Sequence, residues 1–234
     1  MNSRFDGKKL TLLKGLDHSK DQSYFLHSLT QNQLSSAVFP VGGLTKAEVR
    51  QIAKKSGIST YDKKDSTGIC FIGETHFRKF LNRFLPLKKG PIMDLGGREI
   101  GEHHGAVYYT LGQRKGLGIG GVKNAGEDPW FVVGKDVAKN IIFAAQGADN
   151  PALLEKQLYT AGVSWISGEA PKFPFNCSAK IRYRQVDQVC TVSDSTNNEL
   201  KVTFRDEQRS ITPGQSIVFY DEDQCLGGGV ISRT

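Results

Sequence analysis

The sequence predicts a multidomain α+β protein, with the helical tail of an α/β domain, a small β-rich central domain and a C-terminal antiparallel β-barrel. Two patterns carry this prediction. Helical segments follow a single strand in residues 1–63, and short β-runs separated by turns fill the chain from Pro151 onward. The chain has 234 residues, 38% of them hydrophobic, which by length alone allows a buried core in one or two domains.

The first recognisable pattern is Leu10-Thr11-Leu12-Leu13, a short apolar run that predicts a strand. After a polar turn, residues 21–29 are predicted to form a helix that begins at an acidic residue. Lys20, Asp21 and Gln22 would lie at the N-terminus of this helix. Free amide hydrogens there can bind a phosphate or a base edge, although ordinary capping by a polar turn explains the same residues.

The clearest helix start is Thr45-Lys46-Ala47-Glu48, because the threonine can accept from the third helical amide while the glutamate reaches back. Apolar residues at helical spacing follow, and Gly57 can close the helix in the left-handed conformation. One strand followed by helices cannot make a doubly wound sheet alone. Residues 1–63 are therefore predicted to be the tail of a larger α/β domain.

The most unusual chemical feature is Cys70, which lies between Gly68 and Gly73 and shortly after two lysines. Nearby cations lower the pKa of a thiol, and the thiolate is its reactive form, so this setting favours a nucleophile or a sulfur carrier. The alternative is a structural cysteine in a short core strand, Ile69-Cys70-Phe71-Ile72. The local residues alone favour this alternative, because free cysteine behaves mostly as a small hydrophobe.

The other cysteines are Cys177, Cys190 and Cys225, which lie far apart. None belongs to a C-x-x-C pair, so the sequence indicates neither a zinc ribbon nor a thioredoxin-like redox motif. A disulfide scaffold is not expected at this length. Each of the three falls in a β-run, and we interpret them as packing residues.

In the central region, aromatic residues and leucines recur at helical spacing after Cys70, until Pro86 ends the predicted helix. Gly96-Gly97 predicts a hairpin turn between the runs Pro91-Ile92-Met93 and Arg98-Glu99-Ile100. The centre of the chain is therefore expected to combine one helix with a small sheet.

Two adjacent histidines, His103 and His104, raise the question of metal binding. Adjacent residues of a strand point to opposite faces, and no nearby cysteine or carboxylate completes a set of ligands. The sequence therefore predicts no metal site here.

The run from Thr110 to Gly121 is rich in glycine and formally satisfies G-x-G-x-x-G. A dinucleotide site needs such a loop to open a helix, whereas this one leads to Pro129, so a Rossmann site is not predicted. A glycine-rich backbone can still approach a ligand closely, and Arg114 and Lys115 fit contact with a nucleic-acid backbone. A plain flexible loop explains the run equally well.

Toward the C-terminus, the segment 177–184 alternates, which places Lys180, Arg182 and Arg184 on one face of a predicted strand. Three cations in a row on one face favour a bound anion. Further β-runs follow at Val189 to Val192, Leu200 to Phe204, Ile217 to Tyr220 and Cys225 to Ile231. Strands at this spacing predict a small antiparallel barrel or sandwich, and such barrels often bind RNA, although fold is weak evidence for function.

The charge of the chain is consistent with a polyanionic partner. The formal net charge is +7 and the pI is near 9.2, which favours RNA or DNA. The first residues contain no apolar signal region, and no run is long enough to cross a bilayer. We therefore expect a cytoplasmic protein that does not associate with membranes.

Several motifs, taken in order, resemble the tRNA-specific 2-thiouridylase family of the MnmA type. They are Gly15-Leu16-Asp17, Lys20-Asp21-Gln22-Ser23-Tyr24-Phe25-Leu26, Phe39-Pro40-Val41-Gly42, Lys64-Asp65-Ser66-Thr67-Gly68-Ile69-Cys70-Phe71-Ile72-Gly73, Tyr109-Thr110-Leu111-Gly112-Gln113-Arg114-Lys115-Gly116-Leu117-Gly118-Ile119-Gly120-Gly121, Arg182-Tyr183-Arg184-Gln185, Thr212-Pro213-Gly214-Gln215 and Cys225-Leu226-Gly227-Gly228-Gly229. The resemblance runs over nearly the whole chain. Each motif is weak alone, whereas their joint order is highly specific.

This resemblance implies a cytoplasmic, monomeric enzyme that replaces O2 of the wobble uridine (U34) in certain tRNAs with sulfur. In this family ATP, with Mg²⁺, adenylates the uridine oxygen, and a cysteine persulfide delivers sulfur to C2. A second cysteine then releases the sulfur by closing a transient disulfide. Cys70 matches the persulfide-bearing cysteine, whose sulfur would come from a sulfur-relay protein or a cysteine desulfurase.

The resemblance also implies which residues contact the tRNA. Lys20, Asp21 and Gln22 match one tRNA-contacting segment of the family, Arg182 and Tyr183 match a second, and Gln215 matches a third. Arg114 and Lys115 are further candidates because of the glycine-rich run beside them.

The sequence departs from the family pattern at its beginning. The family's S-G-G-x-D-S-S loop, its uridine-facing aspartate and its first catalytic cysteine belong to an N-terminal portion that these residues do not contain. ATP would be bound mainly by that portion, so this chain alone is not expected to catalyse the reaction. The alternative is a non-catalytic tRNA-binding module, or a truncated partner subunit, in which Cys70 is only structural.

The resemblance implies three domains. Residues 1–63 would be the C-terminal part of an ATP-pyrophosphatase-type catalytic domain, which is adenine nucleotide α-hydrolase-like. Residues 64–150 would be the central domain with the persulfide cysteine, and residues 151–234 the tRNA-binding β-barrel.

Overall fold

The structure is a computed structural model that describes residues 2–5, 7–63, 84, 88–122, 125–195 and 199–234. The chain divides into two compact units. The first unit comprises Met1–Lys63, Lys156–Gln208 and Thr212–Thr234, and the second comprises Lys64–Glu155 and Arg209–Ile211. Cys70 and the predicted helix that ends at Pro86 lie outside the described residues. Among the helices of the described ranges, none is both long and apolar enough to cross a membrane.

The described elements are mostly strands, with few helices, as predicted. In chain order they are β1 Asn2–Phe5, β2 Leu10–Leu13, a 3-10 helix Ser23–Leu26, α1 Gln31–Ser35, α2 Lys46–Lys55, β3 Gly90–Met93, β4 Glu99–His103, a 3-10 helix Ala106–Tyr108, β5 Trp130–Asp136, β6 Ile141–Gln146, a 3-10 helix Pro151–Leu153, β7 Leu154–Trp165, β8 Phe175–Lys180, β9 Gln188–Asp194, β10 Glu199–Arg209, β11 Ser216–Asp221 and β12 Gln224–Arg233.

The first unit is built on a closed antiparallel β-barrel. Its strands follow the order β1-β2-β12-β11-β8-β9-β10-β7, and an additional pairing of β12 with β7 closes the last six of them into the barrel. The predicted C-terminal barrel is therefore confirmed. The two N-terminal strands extend this sheet, because Gln224 and Cys225 of β12 pair with Leu13 and Leu12 of β2. This pairing also confirms the strand predicted at Leu10–Leu13.

Glycines in β12 allow the barrel to close. Gly227 has a φ of +145°, and a Cβ at this position would lie 2.1 Å from the carbonyl oxygen of Ser164. A Cβ at Gly228 would lie 2.4 Å from the carbonyl oxygen of Ile217. Because β12 pairs with strands on both sides here, only residues without a Cβ permit such close approach of the backbones.

The core of the first unit joins the barrel to the N-terminal segment. One cluster of buried side chains contains members of β2, the 3-10 helix Ser23–Leu26, α1, β11 and β12, together with the residue that follows β7. These are Leu12, Tyr24, Leu34, Ile166, Val218, Tyr220 and Cys225. Burial of apolar surface, in addition to β-sheet pairing, therefore fixes the N-terminal segment on the barrel.

For the first unit, the sequence predicted the helix capped by Thr45 correctly and the helix at residues 21–29 incorrectly. The capping box predicted at Thr45 is confirmed, since the threonine accepts from Glu48 N and the glutamate accepts from Thr45 N. Gly57 follows α2 with the expected left-handed φ of +71°. In the part of the chain that the structure describes, α2 buries none of its side chains.

The helix predicted over residues 21–29 is wrong, because only Ser23–Leu26 forms a 3-10 helix. Asp21 is the physical reason. Its carboxylate accepts from Ser23 N at 3.2 Å and from Ser23 Oγ at 2.6 Å, and such local bonds compete with helical backbone bonds. Thr30 then caps a separate helix, α1.

The basic strand face predicted from alternation is also wrong. β8 ends at Lys180, and residues 181–185 form a turn in which Arg184 has a φ of +67°. Gln185 N donates to Arg182 O, which closes this turn. Lys180 is paired with Asp187 at 3.4 Å, so the three cations do not share one strand face.

The second unit contains a four-stranded sheet of order β4-β3-β6-β5. β3 pairs parallel to β6, whereas the other pairs are antiparallel. The hairpin predicted at Gly96-Gly97 is confirmed, with Asp94 Oδ1 accepting from Gly96 N and Arg98 N inside the turn. The sheet covers a buried cluster of Ile92, Ile100, Ala106, Tyr109, Leu117, Val132, Ile142 and Ala144.

His103 and His104 lie in different environments. His104 is exposed, whereas His103 is fully buried at the end of β4. His103 Nδ1 accepts from Gly105 N at 2.9 Å, so Nε2 carries the proton and donates to Asn140 O at 3.1 Å. Burial lowers the pKa of His103 from its ordinary value of 6.5, and the imidazole is neutral in the folded protein.

This environment predicts a pH-dependent stability. The unfolded chain binds a proton at His103 at a higher pH than the folded chain, so this stabilising contribution is complete above about pH 6.5. The free energy of unfolding should fall as the pH is lowered from 7.5 to 5.5. Replacing His103 by Leu should reduce this pH dependence and cost about 1–3 kcal/mol at pH 7.5, because Gly105 N loses its acceptor.

Urea denaturation at both pH values measures this effect. His104→Asn is the matched control, because it alters an exposed neighbour on the same strand end. An identical pH dependence in the wild type and His103→Leu would contradict the assignment of a neutral buried imidazole.

Candidate nucleic-acid interface

Two of the three predicted RNA-contacting segments lie together in the first unit. Gln22 Nε2 donates a hydrogen bond of 2.7 Å to Tyr183 Oη, although the two residues are 161 positions apart in the sequence. Gln22 is exposed and Tyr183 is half-buried, so the pair lies at the surface. The structure thus brings together the segments of Gln22 and Tyr183, which are far apart in the sequence.

Tyr24 connects the third segment to the same place. Its ring is buried, and its hydroxyl donates a hydrogen bond of 2.8 Å to the carbonyl oxygen of Ser216. Ser216 directly follows the exposed Gln215. Burial raises the pKa of Tyr24, and the nearby charge of Arg182 acts in the opposite direction. The hydroxyl therefore stays protonated and fixes the backbone beside Gln215.

A network of glutamines holds the turn that presents Arg182, Tyr183 and Arg184. Gln185 Oε1 accepts from Ile181 N at 2.8 Å, while Gln185 Nε2 donates 2.9 Å to Oε1 of Gln208. Gln208 is 2% exposed, and its own amide donates to Gln188 Oε1 at 3.1 Å. The turn is therefore anchored in the barrel wall, which restricts where its cationic side chains can go.

Three aromatic rings form a cluster at this surface, and we refer to Tyr24, Phe25 and Tyr183 as the aromatic cluster. The Phe25 and Tyr183 ring centroids are 4.6 Å apart, and those of Tyr24 and Phe25 are 5.4 Å apart at an interplanar angle of 88°. The Arg184 guanidinium lies 5.3 Å from the centre of the Tyr183 ring. Sequence reasoning did not select Phe25, which lies three residues after Gln22, and it placed Arg184 on a basic strand face, whereas the structure places Arg184 beside Tyr183.

Asp21 has a different environment from its neighbours Lys20 and Gln22. It is 5% exposed, and its carboxylate accepts from Gly15 N, Ser23 N and Ser23 Oγ. Ser23 Oγ lies 3.2 Å from Tyr220 Oη, which donates because the serine proton is already used. The acidic group therefore holds the N-terminal segment against β11.

A buried charge network lies beside this contact. The Lys14 ammonium is 5% exposed and contacts Asp187, while it also donates 2.7 Å to Glu222 O. Lys14 and Lys180 lie 4.6 Å and 5.2 Å from the centre of the Tyr220 ring. Burial raises the pKa of Tyr220. A cavity of about 450 Å³ opens here and is lined by these cations together with Arg184.

Arg114 and Lys115 lie in the second unit and are exposed on the glycine-rich loop. Gly112 N donates to Val132 O, and Val132 N donates to Gln113 O, so β5 holds the start of this loop. A cavity of about 520 Å³ is lined by Arg114, the glycines of the loop and Trp130. In the described residues on either side of positions 123 and 124, the chain continues from this loop to β5 without a helix.

The three described cysteines are packing residues of the barrel. Cys190 and Cys225 are 2% and 1% exposed. Cys177 and Cys190 face each other across β8 and β9 with their sulfurs 3.7 Å apart. The pKa of Cys177 is raised by its contact with Cys190 and by burial, and burial raises the pKa of Cys225 to about 12. The thiols of Cys177 and Cys225 are therefore poor nucleophiles.

Comparison with known proteins divides the chain into three matched regions. Residues 2–74 match the tRNA methyl transferase HUP domain, residues 78–146 the tRNA methyl transferase PRC-barrel domain, and residues 155–231 the aminomethyltransferase beta-barrel domain. The fold and the matches define a protein that combines a HUP domain segment, a PRC-barrel domain and a C-terminal beta-barrel domain.

Curated relatives narrow this class. The chain is 54% identical over 226 residues to the tRNA-specific 2-thiouridylase MnmA of Francisella philomiragia. This alignment covers 97% of this chain and 63% of the relative. It is 54% identical over 220 residues to that of Francisella tularensis subsp. novicida, covering 94% of this chain and 61% of the relative. The chain belongs to the tRNA-specific 2-thiouridylase family and spans somewhat less than two thirds of the length of these relatives.

The buried charge network yields a prediction about stability. Asp187→Asn removes the counter-ion of Lys14 and leaves a buried ammonium without full compensation. The free energy of unfolding should fall by roughly 2–4 kcal/mol. Urea denaturation at constant pH measures this change.

Glu169→Gln is the matched control, because it breaks the exposed ion pair with Lys9, in which the Glu169 side chain is 81% exposed. This control should alter the stability little. If the two variants proved equally stable, the Lys14–Asp187 contact would not hold the N-terminal segment on the barrel.

Proposed function

We propose that this protein acts in tRNA 2-thiolation, the transfer of sulfur from a cysteine persulfide to C2 of the wobble uridine U34 at the expense of ATP. The chain would supply the central and C-terminal parts of this tRNA-uridine 2-sulfurtransferase. One observation carries the proposal, namely 54% identity over 97% of the chain to a tRNA-specific 2-thiouridylase. The convergence of Gln22, Tyr183 and the Gln215 segment on one surface supports it.

Cys70 is the proposed persulfide carrier. Its terminal sulfur would bond to C2 as the activated uridine oxygen leaves, and a second cysteine thiolate would then attack Cys70 Sγ. This attack closes a disulfide and leaves the transferred sulfur on the uridine, after which a thiol reductant restores both cysteines. Cys177, Cys190 and Cys225 are unsuited to the second role because their surroundings leave them buried or paired with each other.

The described residues do not fit an ATP–Mg²⁺ site. The glycine-rich loop lacks a following helix N-terminus for the phosphates, and the described ranges contain no cluster of three or more histidine, cysteine or acidic side chains able to hold a metal ion. ATP and Mg²⁺ are therefore proposed to bind mainly to the family's N-terminal portion, which these residues do not contain.

We propose the domain division given by the sequence, with boundaries after residues 63 and 150. The matched regions 2–74, 78–146 and 155–231 support it. Residues 1–63 would complete the ATP-pyrophosphatase-type domain, residues 64–150 would carry Cys70, and residues 151–234 would bind tRNA. A monomer in the cytoplasm, loaded with sulfur by a relay protein or a cysteine desulfurase, completes the proposal.

The proposed tRNA surface combines direct contacts with one positioning residue. Lys20, Gln22, Arg182, Tyr183 and Gln215 would contact the RNA, and Arg114 and Lys115 of the second unit would add phosphate contacts. Asp21 would act indirectly, because its carboxylate is already occupied by three donors within the N-terminal segment.

The sulfur-carrier role of Cys70 predicts a covalent modification. Incubation with a cysteine desulfurase and cysteine should add one sulfur atom to the peptide that contains Cys70, as read by mass spectrometry after mild alkylation. Cys70→Ser should abolish the modification, because the thiolate that accepts the sulfur is lost.

Cys177→Ser is the matched control and should leave the modification intact. A wild-type protein that still binds tRNA but never gains sulfur would favour the alternative, a non-catalytic tRNA-binding module in which Cys70 is structural.

The tRNA surface predicts a change in salt dependence. Arg182→Ala should weaken tRNA binding and reduce the slope of log K against log salt by about one, because one fewer phosphate counter-ion is released. Fluorescence anisotropy at several salt concentrations provides both values. Arg205→Ala is the control, because this guanidinium already pairs with Asp206 at 3.0 Å. An unchanged slope in Arg182→Ala would exclude the 182–185 turn from the interface.

A further inference from the structure

Phe25 is an unusual residue for the surface that it occupies. Its side chain is 55% exposed, although its ring packs against the buried Tyr24 and the half-buried Tyr183. A single exposed apolar side chain is common on protein surfaces, but Phe25 belongs to a cluster of three rings, and contiguous apolar patches rimmed by polar groups mark binding sites.

The Phe25 ring is held in place from two sides. The buried Tyr24 ring packs edge-on against it, and Tyr24 is itself fixed by the hydrogen bond to Ser216 O. Tyr183 packs on another side with its centroid 4.6 Å away, and Gln22 fixes the Tyr183 hydroxyl. Phe25 is therefore a preorganised apolar surface, and a ligand that covers it loses little side-chain entropy.

The surroundings of this ring indicate the chemistry of its ligand. Arg184 lies over the Tyr183 ring, the Arg182 charge acts on Tyr24, and Lys20 precedes the segment. Aromatic rings set among Lys and Arg side chains are the arrangement with which proteins stack unpaired bases while binding the adjacent phosphates.

We propose that Phe25, with Tyr183 beside it, is a stacking site for one unpaired nucleobase of the bound RNA. The base covers the exposed face of Phe25, and Arg182 and Arg184 bind the flanking phosphates. This inference rests on the proposed function and deepens it, because it assigns to the barrel unit a contact with a base in addition to contacts with the backbone.

Two RNA probes of equal length test the site. One is a hairpin with an unpaired seven-nucleotide loop, and the other is a fully paired duplex of the same charge. Phe25→Ala should weaken binding of the hairpin by about 5- to 150-fold, the range that alanine substitution of a stacking residue produces. Binding of the duplex should not change. The salt slope should stay at the wild-type value, because a stacked base releases no counter-ion.

The variants separate stacking from folding. Phe25→Tyr should bind the hairpin like the wild type, whereas Phe25→Leu, which keeps an apolar side chain without a π face, should bind it as weakly as Phe25→Ala. Phe5→Ala is the matched control, since it removes a 64% exposed phenylalanine from β1 of the same unit. Thermal unfolding of each variant shows whether the fold is retained.

Three results would overturn the inference. Wild-type affinity of Phe25→Leu for the hairpin would show that Phe25 contacts no base, and an equal loss on the hairpin and the duplex would show that its contact is not base stacking. In both cases the proposed function survives if Arg182→Ala still changes the salt slope with tRNA. A wild-type protein that binds neither tRNA nor the hairpin would refute the proposed function, and the inference with it.

Discussion

The Lys14 ammonium lies in the interior of the first unit and is neutralised by Asp187, which belongs to the loop between β8 and β9. Close by, the Asp21 carboxylate, the Ser23 hydroxyl and the Tyr220 hydroxyl form a chain of hydrogen bonds from the N-terminal segment to β11. A buried charge or hydroxyl without a partner is costly, so these contacts permit essentially one position of the segment on the barrel. The candidate RNA surface depends on that position, because it brings Gln22 to Tyr183.

Local sequence patterns predicted those elements that local chemistry determines. The capping box at Thr45 and the glycine turn of the β3–β4 hairpin were both confirmed, since each needs only residues a few positions apart. Runs that correspond to β8 to β12 were also predicted from apolar residues and turns, whereas no run was specified for β7. Closure of the barrel does not follow from local patterns, because it depends on the pairing of β12 with β7.

Prediction failed where side-chain hydrogen bonds to the backbone and to other side chains override the pattern of apolar residues. Residues 21–29 were predicted to be a helix from their acidic first residue, but Asp21 is fixed by Gly15 N and Ser23, and a regular helix is lost. Alternation at 177–184 suggested one strand, yet the contacts of Gln185 with Ile181 and Gln208 produce a turn. Membership of the candidate site was predictable residue by residue only through resemblance. The aromatic cluster could not be predicted, because Phe25 and Tyr183 meet only in three dimensions.

The discontinuity of the first unit has a consequence for synthesis of the protein. β2 is synthesised long before its partner β12, because the whole second unit lies between them in the sequence. Leu12, which is fully buried in the finished unit, must stay exposed while the residues of the second unit are translated. Pairing across such a long sequence separation is slow, and unpaired apolar strands tend to aggregate. A nascent chain stalled before β12 would therefore be a natural client for chaperones.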